Sequence, residues 1–227
     1  AVVLFAGCAA VSPGAPTERP RLVVLLVVDG VAQAQLAAYR DQYGPDGFNR
    51  FLNRGAWFAE AHYGHAYTVT AAGHATILTG APPRRSGIIG NEWRDPASGR
   101  LVYCTGDPAH RILGHAAVPL AGTSPANLRV ESLGDVLRAA DPRSKVIAVS
   151  GKDRGAILPA GRAGTAYMYQ AQTGRFASST YYMQAHPAWV EAFNAAKPAD
   201  RQFGARWEPL LPAMAYARSA PDGTPGV

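Results

Sequence analysis

Seven consecutive apolar residues at 22–28, four of them valine, open the interpretable part of the chain in "RLVVLLVVDG". A run of that length is too short for a membrane helix and predicts a buried strand of a parallel sheet, ending at Asp29 and Gly30. Residues 32–39 have helical composition, and "GFNRFLNRG" spaces Phe48, Phe51 and Leu52 as a helix that Gly55 stops. A strand is expected over 56–62, and "RDPASGR" joins Glu92–Arg94 to Leu101–Tyr103 as a hairpin. Further on, "LRVESLGDVLRAADP" puts Leu133, Val136 and Leu137 on one helical face, and "KVIAVSG" predicts a second buried strand. Strand and helix in alternation predict an α/β fold with a parallel sheet. Beyond Gly164 the pattern changes: a hairpin is expected around Thr173 and Gly174, then a helix from about Pro187 through Phe193. That segment reads as a lid or insertion.

Composition narrows the class. With 227 residues, 48% hydrophobic and 17% charged, the chain can bury one sizeable core and is too polar for a membrane bundle. The net charge of +6 comes with 22 scattered basic residues, mostly single arginines, so it favours anionic ligands in general and nucleic acid only weakly. Residues 1–20 begin without methionine as "AVVLFAGCAAVSPGAP" and read as a signal-peptide remnant and linker, which points to an exported, periplasmic or envelope-attached protein. "FAGC" resembles a lipoprotein box with Phe5 in place of leucine, so a lipid on Cys8 is one expectation and an incidental cysteine is the other. Either leaves Cys104 as an odd cysteine, whose partner would then lie in sequence beyond this chain.

In open α/β sheets ligands bind outside the carboxyl ends of strands, which draws attention to Asp29 and to "SGKDRG". Asp29 by itself is a weak signal: an aspartate after a buried strand is more often the start of a turn than a metal ligand or catalytic group. Thr70, in "AYTVTAAGHATILTG", suits the N-cap of a helix closed by Gly80, and a hydroxyl at a helix N-terminus also suits attack on a phosphate. "SGKDRG" lacks the upstream glycine of a nucleotide P-loop and has Asp153 after the lysine, which rejects that motif. Lys152 and Arg154 would aim to one side if the segment stays extended; a solvated basic pair is the plain alternative. His62, His65 and His74 cluster in sequence without the spacing of a zinc site, and His74 reads as a hydrogen-bonding residue of the helix.

Taken in order, "VVDG", "TVTAAGHATILTG", "GIIGNEWRD", "VSGKDRGAI" and "SSTYYMQAHPAWVEAFN" resemble the alkaline phosphatase superfamily. More narrowly they resemble its threonine-nucleophile, PafA-type bacterial enzymes, relatives of the nucleotide pyrophosphatase/phosphodiesterases. The resemblance implies an alkaline-phosphatase-like, mostly parallel sheet flanked by helices, with residues 21–164 as the first part of the catalytic domain and 165–227 as a truncated insertion or lid. It implies two zinc ions, with Asp29 as an aspartate ligand and Thr70 as ligand and phosphorylated nucleophile. Asn91 would bond a phosphoryl oxygen, and Lys152 and Arg154 would contact the phosphate, as in the monoesterase branch. Small phosphorylated compounds are the expected substrates. A phosphodiesterase or nucleotide pyrophosphatase, or a non-catalytic phosphate-binding short form, are the alternatives. Two departures stand out: Ala72 occupies a place where the family commonly has proline, and the Asp-x-x-x-His motif, Asp-His pair and late histidine that complete both zinc sites do not occur before Val227. On its own the chain is therefore expected to bind zinc poorly and turn over little.

Overall fold

A computed structural model describes residues 20–219 apart from 117, 119 and 207. Cys8 and all but the last residue of the expected signal remnant and linker at 1–20 lie outside the described residues. The chain divides into two compact units, 1–41 and 42–227.

In the first unit, residues 22–28 run without strand pairing into a turn at Asp29 and Gly30, where Gly30 takes φ +80°. The expected buried strand is corrected: no residue of the run is assigned to a strand, and its side chains are 38–79% exposed. A parallel strand is stabilised by neighbours on its edges and cover on its faces, and the described residues supply no pairing strand here. Helix α1 follows at Gln33–Ala38, as the composition predicted.

The second unit begins with α2, Phe48–Arg54, ended by Gly55. The strand expected over 56–62 does not form; Trp57 and Phe58 are exposed, and nothing among the described residues pairs with the segment. Helix α3, Thr70–Thr79, and the single turn α4, Pro83–Ser86, lead to an antiparallel hairpin of β1, Glu92–Arg94, and β2, Leu101–Tyr103, with the expected bounds. Helix α5, Leu133–Ala140, opens with a closed capping box: the Ser132 hydroxyl accepts the Asp135 N–H, and Asp135 Oδ2 accepts the Ser132 N–H at 2.8 Å. The other carboxylate oxygen of Asp135 accepts N–H groups from Arg162 and Ala163 at 2.8 and 2.7 Å, so one buried acid ties α5 to the turn just before the strand that starts at Thr165.

Strand β3, Ile147–Ser150, helix α6, Asp153–Ala160, and strand β4, Thr165–Gln170, form a β-α-β unit with β3 and β4 parallel, Ile147 opposite Thr165. The sheet thus continues across Gly164, and β4 is its middle strand, with antiparallel β5, Arg175–Ala177, on the far side. Burial of β3 is one-sided, a third correction: Ile147 and Val149 stay 58% and 60% exposed, because α6 covers only the other face. Helix α7, Ala188–Ala195, closes the β5 edge. Asn194 Oδ1 accepts the Phe176 N–H at 2.9 Å and its Nδ2 donates to the Phe176 carbonyl at 2.8 Å, a side chain standing in for a strand.

Helix α6 carries the core. Ala156, Ile157 and Ala160 pack with Ile112, Ala166, Met168 and Ala177 on the sheet side, while Leu158 joins Ala71, Ala75, Ile88, Cys104 and Leu128 on the α3 side. Small residues along α3 let the two helices approach closely, so the starts of α3 and α6 are held by one packed layer.

Candidate active site

The start of α3 is not capped by Thr70. Val69 is the N-cap and offers no side-chain acceptor, while Thr70 is the first helical residue. A helix start leaves its first N–H groups unsatisfied, and here the cap comes from elsewhere: Asn91 Oδ1 accepts the Ala71 N–H at 3.0 Å. Asn91 is fixed in turn by the hairpin, because its carbonyl accepts the Cys104 N–H at 3.0 Å just past β2. With Oδ1 engaged, the Asn91 carboxamide retains its N–H donors. Farther along, His74 Nδ1 bonds the Thr70 carbonyl at 2.7 Å, the structural place its sequence context predicts, and Gly80 ends the helix at φ +65°.

At the start of α6 the segment does not stay extended through both cations. Lys152 is the extended N-cap, exposed, with its N–H donated to Ser150 Oγ at 3.2 Å, and Arg154 is already in the helix. Their side chains therefore differ in setting. Arg154 is partly buried in a hydrogen-bonded group that the sequence alone does not reveal. Its Nη1 donates to the Tyr103 hydroxyl at 2.9 Å, and that hydroxyl donates to Asp153 Oδ1 at 2.9 Å. Asp153 Oδ1 also accepts the Arg154 N–H at 2.8 Å, and Thr105 Oγ1 lies 3.4 Å from Oδ2. Arg154 Nε is buried with no partner among the described residues. Gly122 backs the carboxylate so closely that a Cβ there would fall 1.8 Å from Asp153 Oδ2.

Burial, with the Asp153 charge beside it, pushes the Tyr103 hydroxyl well above its ordinary pKa, so it stays protonated at alkaline pH. Burial works against the Arg154 charge, yet Tyr103 and Asp153 outweigh it and hold that pKa above its usual value. Next to Tyr103, the Cys104 thiol is pushed up to about 12 by burial and then by Asp153.

The structure therefore brings Asn91 to the backbone beside Thr70, and links Arg154 through Tyr103 to the same hairpin end. A cleft of about 1170 Å³ opens along this edge, lined by Tyr103, Lys152 and Asp153 and flanked by His110, Arg111 and His115. Asp29 lies in the first unit, in an exposed turn. Among the described residues no group of three or more His, Cys, Asp or Glu side chains could hold a metal ion, so Asp29 and Thr70 do not by themselves make the expected two-zinc centre. The sequence marks Asp153 only as a mismatch to a P-loop. Tyr103 carried no local signal at all, since its role depends on a contact 51 residues away.

The fold sets the class first: it is an alkaline-phosphatase-like α/β domain. It matches the crystal structure of a multiply substituted alkaline phosphatase PafA with a TM-score of 0.81 at 37% identity, covering 86% of this chain and 38% of that one. More specifically, the chain belongs to the type I phosphodiesterase / nucleotide pyrophosphatase family, whose model matches residues 23–222. It is 44% identical over 209 residues to alkaline phosphatase PhoV of Synechococcus elongatus, covering 91% of this chain and 38% of that protein. It is 41% identical over 207 residues to a Myroides odoratus protein named calcium-transporting ATPase, covering 90% and 38%. The chain thus spans about 38% of the length of these relatives.

Proposed function

We propose that this chain carries the nucleophile and phosphoryl-contacting residues of an exported phosphomonoesterase that acts through a phosphothreonine. The observation that carries the reading is the Asn91–Ala71 bond, which sets an amide donor at the helix start occupied by Thr70. The Thr70 oxygen bonds to phosphorus as the ester's alcohol departs with its electron pair; water then cleaves the phosphothreonine and releases phosphate. Asn91, Lys152 and Arg154 offset the negative charge on the non-bridging oxygens, and positioned charge of this kind is the main contribution of protein groups to phosphoryl transfer. A monoester dianion carries one more charge than a diester, which favours it at a site with two cationic side chains. The name of the relative PhoV agrees with this class.

Two zinc ions belong to the same reading through the family resemblance, with Asp29 and Thr70 as the ligands this chain would contribute. Among the described residues no three His, Cys, Asp or Glu side chains gather to complete such a site. Among the described residues no helix is long and apolar enough to cross a membrane. A diesterase is the second reading, favoured by the family's own description and by motifs around Asp29, Thr70 and Asn91 that serve either chemistry.

Assay of the full-length protein on an aryl phosphate monoester and the matching diester separates the two: the monoester is expected to be preferred, and a clear diester preference would reject the monoesterase. Thr70→Ala in that protein is expected to lower kcat by roughly 10³-fold or more. Unchanged turnover would remove Thr70 from the mechanism.

A further inference from the structure

We propose that Tyr103 and Asp153 are positioning residues that lock the Arg154 guanidinium for contact with the phosphoryl group, with Gly122 as the space that seats the lock. The inference rests on the reading of Arg154 as a phosphate contact. Its basis is the shape of the network. A tyrosine hydroxyl has one proton and can accept as well as donate; here it donates to Asp153 Oδ1 and accepts from Arg154 Nη1, both at 2.9 Å. The two bonds are therefore directional and interdependent. The Asp153 carboxylate also lies 3.7 Å from Arg154 Nη1 and takes the Arg154 N–H, so backbone and side chain of the arginine answer to one acid.

Only one edge of the guanidinium is used in this way. The bond at Nη1 leaves Nε, on the opposite side of the fork, buried and unpartnered among the described residues. A guanidinium offers planar, paired donors to oxyanions. Securing one edge orients the other, and a long side chain that is already ordered loses less freedom on binding. The Thr105 hydroxyl at 3.4 Å and the bare Cα of Gly122 complete the seat: any side chain at 122 would meet Asp153 Oδ2 at 1.8 Å and displace it. Lys152 is the exposed N-cap of α6, one residue before the acid, whereas Arg154 is partly buried within the network, so the two cations differ in setting.

The test is a mutant cycle in the full-length protein, reading kcat and KM on an aryl phosphate monoester and diester. Tyr103→Phe removes only the hydroxyl. It is expected to lower monoester kcat/KM by on the order of 10²-fold, the scale of a small misplacement, with a smaller loss on the diester. In an Arg154→Ala background the same change is expected to cost less than about twofold, since its target is gone. Gly122→Ala, which removes no hydrogen-bonding group but displaces the Asp153 carboxylate, is expected to repeat that pattern and carries the cycle if Tyr103→Phe does not fold. Equal losses in both backgrounds would overturn the lock, because a general structural role does not depend on Arg154. If Arg154→Ala itself leaves monoester turnover intact, the phosphate-contact reading of Arg154 fails instead, and the lock with it.

Discussion

Cys104 shows how far a side chain's setting can remove its reactivity. It is fully buried between Ala71, Ala75, Ile88, Leu128 and Leu158, in a free thiol form pushed up to about 12. As an odd cysteine it leaves open a partner beyond this chain; among the described residues it packs as a small apolar residue. A thiol whose pKa is raised by folding contributes stability that is fully present below its unfolded value of about 8.5 and is lost as pH rises from there towards 12. Alkylation of Cys104 at pH 8, followed by peptide mass spectrometry, is therefore expected to be negligible in the folded chain and rapid in denaturant; prompt labelling without denaturant would contradict the burial. The same scale explains what could be read of the site. Thr70, Asn91, Lys152 and Arg154, the residues proposed for the site, sit in short ordered motifs that the sequence by itself singles out. Tyr103 and Gly122 act through contacts with Asp153 from 50 and 31 positions away in the numbering, and no local pattern announces them.

Among the elements, those defined by local chemistry match their expected bounds and those that need partners do not. The hairpin of β1 and β2 has a turn-rich link and α2 has its glycine stop, both within a few residues, while α5 forms in the stretch expected to be helical and opens with a capping box. By contrast, residues 22–28 and 56–62 have strand-like patterns whose fate depends on neighbours, and the described residues provide none. Helix α5 also shows where local and long-range terms meet, at Asp135. Replacing it by alanine removes the acceptor for the Ser132, Arg162 and Ala163 N–H groups at once. Stability measured by urea unfolding is expected to fall by about 3 kcal/mol, the combined scale of a lost cap and stranded buried donors. Asp135→Asn, which keeps one acceptor oxygen, is expected to fall between alanine and the original. A loss within about 0.5 kcal/mol for Asp135→Ala would show that the turn at 162–163 finds other partners.

For the molecule as a whole, the distribution of apolar surface is uneven. Leu22, Val23 and Leu26 in the first unit, and Leu133, Ile147 and Val149 in the second, are all more than half exposed. Exposed apolar side chains in such number favour cover by protein or association. The 227-residue chain by itself is expected to bind a hydrophobic dye strongly and to self-associate, measured by fluorescence and light scattering; a monodisperse chain with dye binding at the level of an ordinary folded domain would contradict this. Net charge of +6 slows such association without abolishing it.

The small sheet has a direction of growth. Its β5 edge is spent, because Asn194 already satisfies both polar groups of Phe176 as a neighbouring strand would. Its β3 edge has no partner strand among the described residues, and apolar side chains face outward beside it. Any strand that extends this sheet joins next to β3, the strand whose end delivers Lys152 and Arg154. The same edge that builds the sheet outward is thus the one that fixes where the two cations stand.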